Sequence, residues 1–352
     1  MVKTNGWFGS GALALTLALA SGWAVAVEAL HLRVVGGLGG VRQYTHQEAP
    51  FWMRELPRLS QGRVTAEIAP FDQAGMRGEE MLRLLKSGSV SFGTLLLART
   101  TSVEPELGAV DLPGMNPDFA TLRRHLAAYR QHLEAVLRER HGIEPLAIYV
   151  YPSQVTFCSK PFRGLGDLAG RRVRVVSPAH GDLLRALGAQ PVQTEFGQIV
   201  PALRAGTVDC AITGSMSGHT IGLDEVTTHI DPKALSWGLS VFGANQAAWR
   251  ALPEDVQQLL RRGLADLERA VWADAERESG EGVACLTGAA GCTQPRRARM
   301  TLVSAGAADT RRLREALERT VLPGWVQRCG AACAMAWNRH LAPAVGLRAS
   351  AP

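Results

Sequence analysis

Residues 171–176 read Arg-Arg-Val-Arg-Val-Val, a strand-like alternation that puts Arg172 and Arg174 on one face and Val173 and Val175 on the other. An arginine well inside such a strand needs a partner. Its planar fork matches a carboxylate through two parallel hydrogen bonds. An internal salt bridge and a solvated edge strand are the plainer alternatives. Gly37-Leu38-Gly39-Gly40 follows another strand-like run, yet a dinucleotide fingerprint starting at Gly37 needs glycine or alanine where Arg42 stands. These glycines are expected instead to let a ligand approach the backbone. Gly214-Ser215-Met216-Ser217-Gly218 carries methionine at its centre, so it is no nucleophile elbow. Its serines would serve as hydrogen-bond donors at the mouth of a strand, or as a polar turn. No nucleophile–base pair and no paired acidic motif stand out, so no catalytic residue and no cofactor are expected.

The six cysteines fall at 158, 210, 285, 292, 329 and 333. No C-x-x-C occurs and the nine histidines show no ligand spacing near the thiols, which leaves a metal site without support. Cys285 and Cys292 bracket a Gly/Ala-rich loop that they could close, while Cys329 and Cys333 stand four apart in a helical stretch. Cys158 and Cys210, each on an expected strand, then form the third pair. Disulfides suit an exported chain. Residues 1–26 read as a signal peptide: Lys3 gives the positive start, an apolar run follows, and Ala24-Val25-Ala26 or Val27-Glu28-Ala29 offers a cleavage site. The run is shorter than the roughly 20 residues of a membrane span. No later stretch qualifies either, so a cleaved protein of the periplasm is expected. The net charge of +6 is spread along the chain without basic blocks or interleaved aromatics, which argues against nucleic-acid binding.

The elements that would position these residues repeat. Residues 81–93 and 199–211 are matching phrases: a helix end with a basic residue (Lys86, Arg204), a glycine (Gly88, Gly206), then a short strand. Around the first, strands at 30–35, 63–69 and 89–97 alternate with helices at 45–59 and 79–86. Around the second, strands at 172–177, 191–194 and 207–213 alternate with helices at 179–187 and 196–204. Each series is β-α-β-α-β, the pattern of a parallel sheet with helices on its faces. The predicted fold class is therefore α/β, of periplasmic-binding-protein type. Two lobes are joined by crossing strands near 148–153 and 236–246 and by a long helix from Pro253 to about Ser279. Lobe I is assigned to 27–150 plus 243–284 and lobe II to 151–242 plus 285–352, with the helical tail 296–342 packing on lobe II. Such a joint favours hinge closure around a ligand held between the lobes.

At these residues the chain resembles the extracytoplasmic substrate-binding proteins of TRAP (tripartite ATP-independent periplasmic) transporters. The phrases that carry the likeness are Ser60-Gln61-Gly62-Arg63-Val64, Gln73-Ala74-Gly75, Asp111-Leu112-Pro113, Asp167 to Val175, Leu187 to Val192, Ala202 to Asp209, and Asn245 with Trp249 to Pro253. The resemblance implies a receptor, not an enzyme. It would close on a small organic acid and hand it to permease subunits driven by an ion gradient. It puts the family's carboxylate-binding arginine at Arg174. It also departs from the family: the position expected for a second arginine is Ser153, beside Gln154, and Thr213 stands where asparagine is common. The ligand set that follows is Arg174, Gln154, Ser153, Thr213 and Ser215 from lobe II, Gln43, Tyr44 and Gln73 from lobe I, and Trp237 in the cleft. A receptor of an ATP-driven importer or of a membrane sensor kinase is the alternative.

Overall fold

The computed structural model describes Met1, residues 29–304 and residues 306–350. The expected signal peptide, after Met1, lies outside the described residues. Two sheets organise the chain, each containing the β-α-β-α-β series read from the sequence. The first contains β1 (Leu30–Gly36), β2 (Val64–Pro70), β3 (Phe92–Leu96), β4 (Ile143–Val150) and β10 (Leu239–Asn245), in the order β2-β1-β3-β10-β4. The second contains β5 (Gln154–Cys158), β6 (Arg172–Val175), β7 (Gln190–Gln193), β8 (Cys210–Gly214), β9 (His229–Ser236) and β11 (Thr301–Leu302), in the order β11-β9-β5-β8-β6-β7. β1 runs parallel to β2 and β3, and β6 runs parallel to β7 and β8. In each sheet strands that cross from the other half join antiparallel: β10 to β3 and β4, and β5 to β8 and β9. The two matching phrases end as expected, with Gly88 and Gly206 left-handed at φ 78° and 65°.

The crossings are short. β4 passes into β5 through Tyr151-Pro152-Ser153, and β9 into β10 through Trp237-Gly238. They are bonded to each other, Tyr151 N donating to Gly238 O at 3.0 Å. The buried carboxylate of Asp111 accepts from Trp237 N (3.1 Å) and Gly238 N (2.7 Å), pinning the second crossing to the first-sheet side. Gly238 itself is left-handed at φ 80°, a conformation that disfavours any side chain. A third link is α1 (Glu254–Thr287), which runs past the expected end near Ser279. It packs along β4, where Trp272 Nε1 donates to Ile148 O at 2.8 Å. Its second half meets the 215–220 helix so closely that a Cβ at Gly282 would fall 2.3 Å from Met216 N.

The tail differs from expectation. β11 does join the second sheet beside β9. Beyond it, α2 (Leu322–Cys329) spans both sides: Trp325 Nε1 donates to Pro105 O at 2.7 Å, and Arg328 pairs with Asp182 at 2.6 Å. The following helix, Ala331–His340, packs on the Phe119–His141 helix of the first side. Trp325 and Trp337 are buried there, and covering them with both surfaces hides more apolar area than either side alone provides.

The cysteines pair 158–210, 285–292 and 329–333. Cys158 and Cys210 face each other across β5 and β8 and close a separation of 52 residues. Replacing both with alanine is expected to cost about 2–4 kcal/mol by freeing the unfolded chain. Urea unfolding reads this directly, and an unchanged midpoint would contradict it.

Candidate functional site

β6 lies inside the second sheet between β8 and β7, so its backbone is paired along both edges. Arg172 stays half exposed and pairs with Asp209 at 2.8 Å. Arg174, two residues on, is only 2% exposed. Its Nε donates to Thr194 O at 3.1 Å and its Nη1 to Ile212 O at 2.8 Å. These carbonyls fix the fork without neutralising it, and among the described residues no carboxylate forms a salt bridge with Arg174. Burial pulls its pKa down to about 9, Arg99 adds to the effect and Glu195 opposes it. At neutral pH the guanidinium therefore keeps its proton.

Arg174 faces a cavity between the two sheets with about 1070 Å³ of empty space, the part open to solvent included. Leu96, Leu97, Leu107 and Leu112 line it from the first side; Val176, Phe196 and Thr213 line it from the second. Trp325 and Arg328 of α2 also border it. Next to Arg174 the helix α3 (Pro178–Ala186) begins, its N-terminus capped by Ser177. The free N–H groups of a helix start add positive potential, which favours an anion here. His180 in its first turn is buried, with Nδ1 2.8 Å from Ser177 Oγ and Nε2 2.9 Å from Ser236 Oγ. Burial, reinforced by Arg174, holds its pKa down at about 3, so the imidazole is neutral.

A second buried arginine enters from the opposite side. Arg99, 5% exposed, follows the apolar strand β3 and reaches across to Thr194 O (3.2 Å) and Glu195 Oε2 (2.7 Å). No cation is expected there from the sequence alone. The available signal was positional: in open α/β sheets ligands gather at the carboxyl ends of strands, and Arg99 stands just past one.

Of the expected ligand set, Arg174, Gln154 and Thr213 line this cavity; the other six sit elsewhere. Gln43 turns into the interior and donates to the buried Glu48 at 2.8 Å. Tyr44 donates to Ile68 O at 3.2 Å, with its ring against Gly36. Gln73 packs beneath Gly39, where a Cβ would lie 2.5 Å from its Nε2. Ser215 Oγ donates to Ser279 O at 3.0 Å, and the Ser153 amide donates to Ser279 Oγ at 3.0 Å; both are covered by α1. Trp237 is core, its Nε1 donating to Asn116 O at 2.9 Å and its ring edge-on to Phe119. The glycines at 36–40 also differ from expectation: they admit Tyr44, Glu48 and Gln73, and only Leu38 of that loop lines the cavity.

Over residues 38–318 the chain matches the family described as "Bacterial extracellular solute-binding protein, family 7". It is 26% identical over 226 residues to the uncharacterized protein y4mM of Sinorhizobium fredii, spanning 62% of this chain and 41% of that one. It is 24% identical over 212 residues to the C4-dicarboxylate-binding periplasmic protein DctP of Rhodobacter capsulatus, spanning 59% of this chain and 63% of that one. The matches thus cover less than two thirds of these relatives' lengths. In fold the chain is similar to DctP7, a Bordetella pertussis extracytoplasmic solute receptor binding pyroglutamic acid. The TM-score is 0.77 at 18% identity, over 89% of this chain and 99% of that one.

His180 gives the site a pH signature. The unfolded chain protonates this imidazole below about pH 6.5, whereas the folded chain resists until about 3. Its contribution is complete above the unfolded pKa and is lost as pH falls toward the folded one. A His180→Gln variant is expected to lose less stability than wild type between pH 6.5 and 4. Parallel unfolding curves over that range would count against the assignment.

Proposed function

Because the chain belongs to family 7 of the bacterial extracellular solute-binding proteins, the family of TRAP receptors, we propose that it is a periplasmic receptor for a small organic acid. One observation carries this reading: a buried, protonated guanidinium faces an interlobe cavity without a protein carboxylate to neutralise it. Leaving a charge unpaired at low exposure is costly, and the arrangement is explained by an anion that arrives from outside. In this reading Arg174 grips the carboxylate, Thr213 borders the bound acid, and the carboxamide of Gln154 braces the crossing strands beside it. The relative and the fold neighbour that bind C4-dicarboxylates and pyroglutamic acid agree in ligand chemistry, since each takes a small carboxylate.

The lobes of the receptor are 27–150 plus 243–284 and 151–242 plus 285–352, with α1 and the tail fastening them. The loaded receptor delivers its acid to TRAP permease subunits in the membrane, driven by an ion gradient. Among the described residues no helix is long and apolar enough to cross a bilayer itself. The family is one of receptors and not of enzymes.

Truncating one partner of a desolvated charge pair costs about 2–5 kcal/mol, which is thirty-fold or more at roughly 1.4 kcal/mol per decade. Calorimetry with the acid released from the purified protein and identified by mass spectrometry is the test. Arg174→Ala is expected to weaken that binding by at least this factor while unfolding without ligand changes little. An Arg174→Ala protein with wild-type affinity would refute the proposal.

A further inference from the structure

Arg99 has a group that neither the fold nor the counter-ion accounts for. Its Nη2 is spent on Thr194 O and Glu195, but its Nη1 is buried with no hydrogen-bond partner among the described residues. Such a donor normally finds an acceptor. Arg174 donates to the same Thr194 oxygen, so two guanidinium groups from opposite sheets converge on a single carbonyl. Like charges this close repel, and among the described residues the one carboxylate in a salt bridge with either is that of the half-exposed Glu195.

Several of the polar groups around it are already occupied. The Asp111 carboxylate is taken by Trp237 N, Gly238 N and Asn116. Both ring nitrogens of His180 face serine hydroxyls, and Arg328 is held by Asp182. The Gln154 amide nitrogen donates to Pro152 O and Trp237 O. The hydroxyls of Tyr151, Thr213 and Ser217 also face this space, and most of the remaining wall is apolar: Leu38, Phe71, Leu96, Leu97, Phe196 and Leu239.

Resting on the receptor reading above, we infer that Arg99 is a second ligand-binding residue and that the solute is a monocarboxylate with an apolar body. Its carboxylate bridges Arg174 and the free Nη1 of Arg99, and its hydrocarbon part lies on the leucine and phenylalanine wall. Because Arg99 follows β3 and Arg174 lies in β6, that one carboxylate fastens the first side of the cleft to the second. A second carboxylate or a row of sugar hydroxyls would lie mostly against apolar side chains. Rejection of an added polar group by an apolar wall is about a hundredfold at most, so the preference is one of degree.

The experiment is calorimetry on the full mature chain with phenylacetate and 4-methylpentanoate as probes. L-malate, D-galacturonate and the neutral phenylacetamide are the comparators, and wild type is run beside Arg99→Met and Arg174→Met. Wild type is expected to bind at least one apolar acid ten-fold or more tighter than every comparator. Arg99→Met should weaken that acid at least ten-fold with the ligand-free melting temperature little changed, because Glu195 is left where water can reach it. If Arg99→Met does not fold, Arg99→Lys keeps the charge, loses the fork and reads the same point. Malate or galacturonate binding as tightly as the apolar acids, or neither apolar acid binding while a comparator does, overturns the ligand class. Full affinity in Arg99→Met alongside loss in Arg174→Met overturns the second grip and leaves the receptor reading standing. No acid binding to wild type at all sinks both.

Discussion

A positive charge held dry by backbone carbonyls is the constraint around which this molecule is arranged. Thr194 O and Ile212 O orient Arg174 but carry no full charge, so the site is organised and electrically incomplete. Replacing a buried ion by a well-packed apolar residue is often neutral or stabilising. Stability alone is therefore a poor reason for an arginine here. A site that must recognise an anion is a better one, because the cost of ordering and desolvating the cation is met before the ligand arrives.

The surrounding architecture serves that charge. The strand crossings at 151–153 and 237–238 are bonded to each other and pinned by Asp111. α1 packs on both sides, and α2 draws Trp325 and Arg328 to the edge of the cavity. The cleft is thus bounded on several sides by elements that are not continuous in sequence. Arg99 adds a charged contact that reaches from the first-sheet side to the loop after β7. Ligand charge and cleft geometry are linked through the same oxygen, that of Thr194.

Much of this was legible in the chain itself. The two β-α-β-α-β series, the left-handed glycines after their helices and the cysteine pairs follow from periodicity, caps and spacing, which are local signals. Arg174 could be singled out because alternation within a short strand fixes its face. The rest of the site depends on contacts far apart in sequence. Gln43 and Tyr44 sit beside the glycine loop, but the buried Glu48 and the Ile68 carbonyl decide which way they turn. Ser153 and Ser215 lie close to the right strands, and only the approach of α1 at Ser279 and Gly282 removes them from the cavity. Arg99 was hidden for the opposite reason: its neighbours are uniformly apolar, and its partners, Thr194 and Glu195, come from the other sheet. The tail's contacts with the first side were not legible because two buried tryptophans do not reveal which surfaces will cover them.

The most direct test is a crystal structure of the native protein purified without unfolding, so that it keeps the solute it gathered in the cell. Density for a carboxylate within hydrogen-bond distance of the Arg174 guanidinium, inside the space between the two sheets, is the expected result. A neutral or cationic occupant there, or an Asp or Glu of the chain itself seated on that guanidinium, would contradict the account.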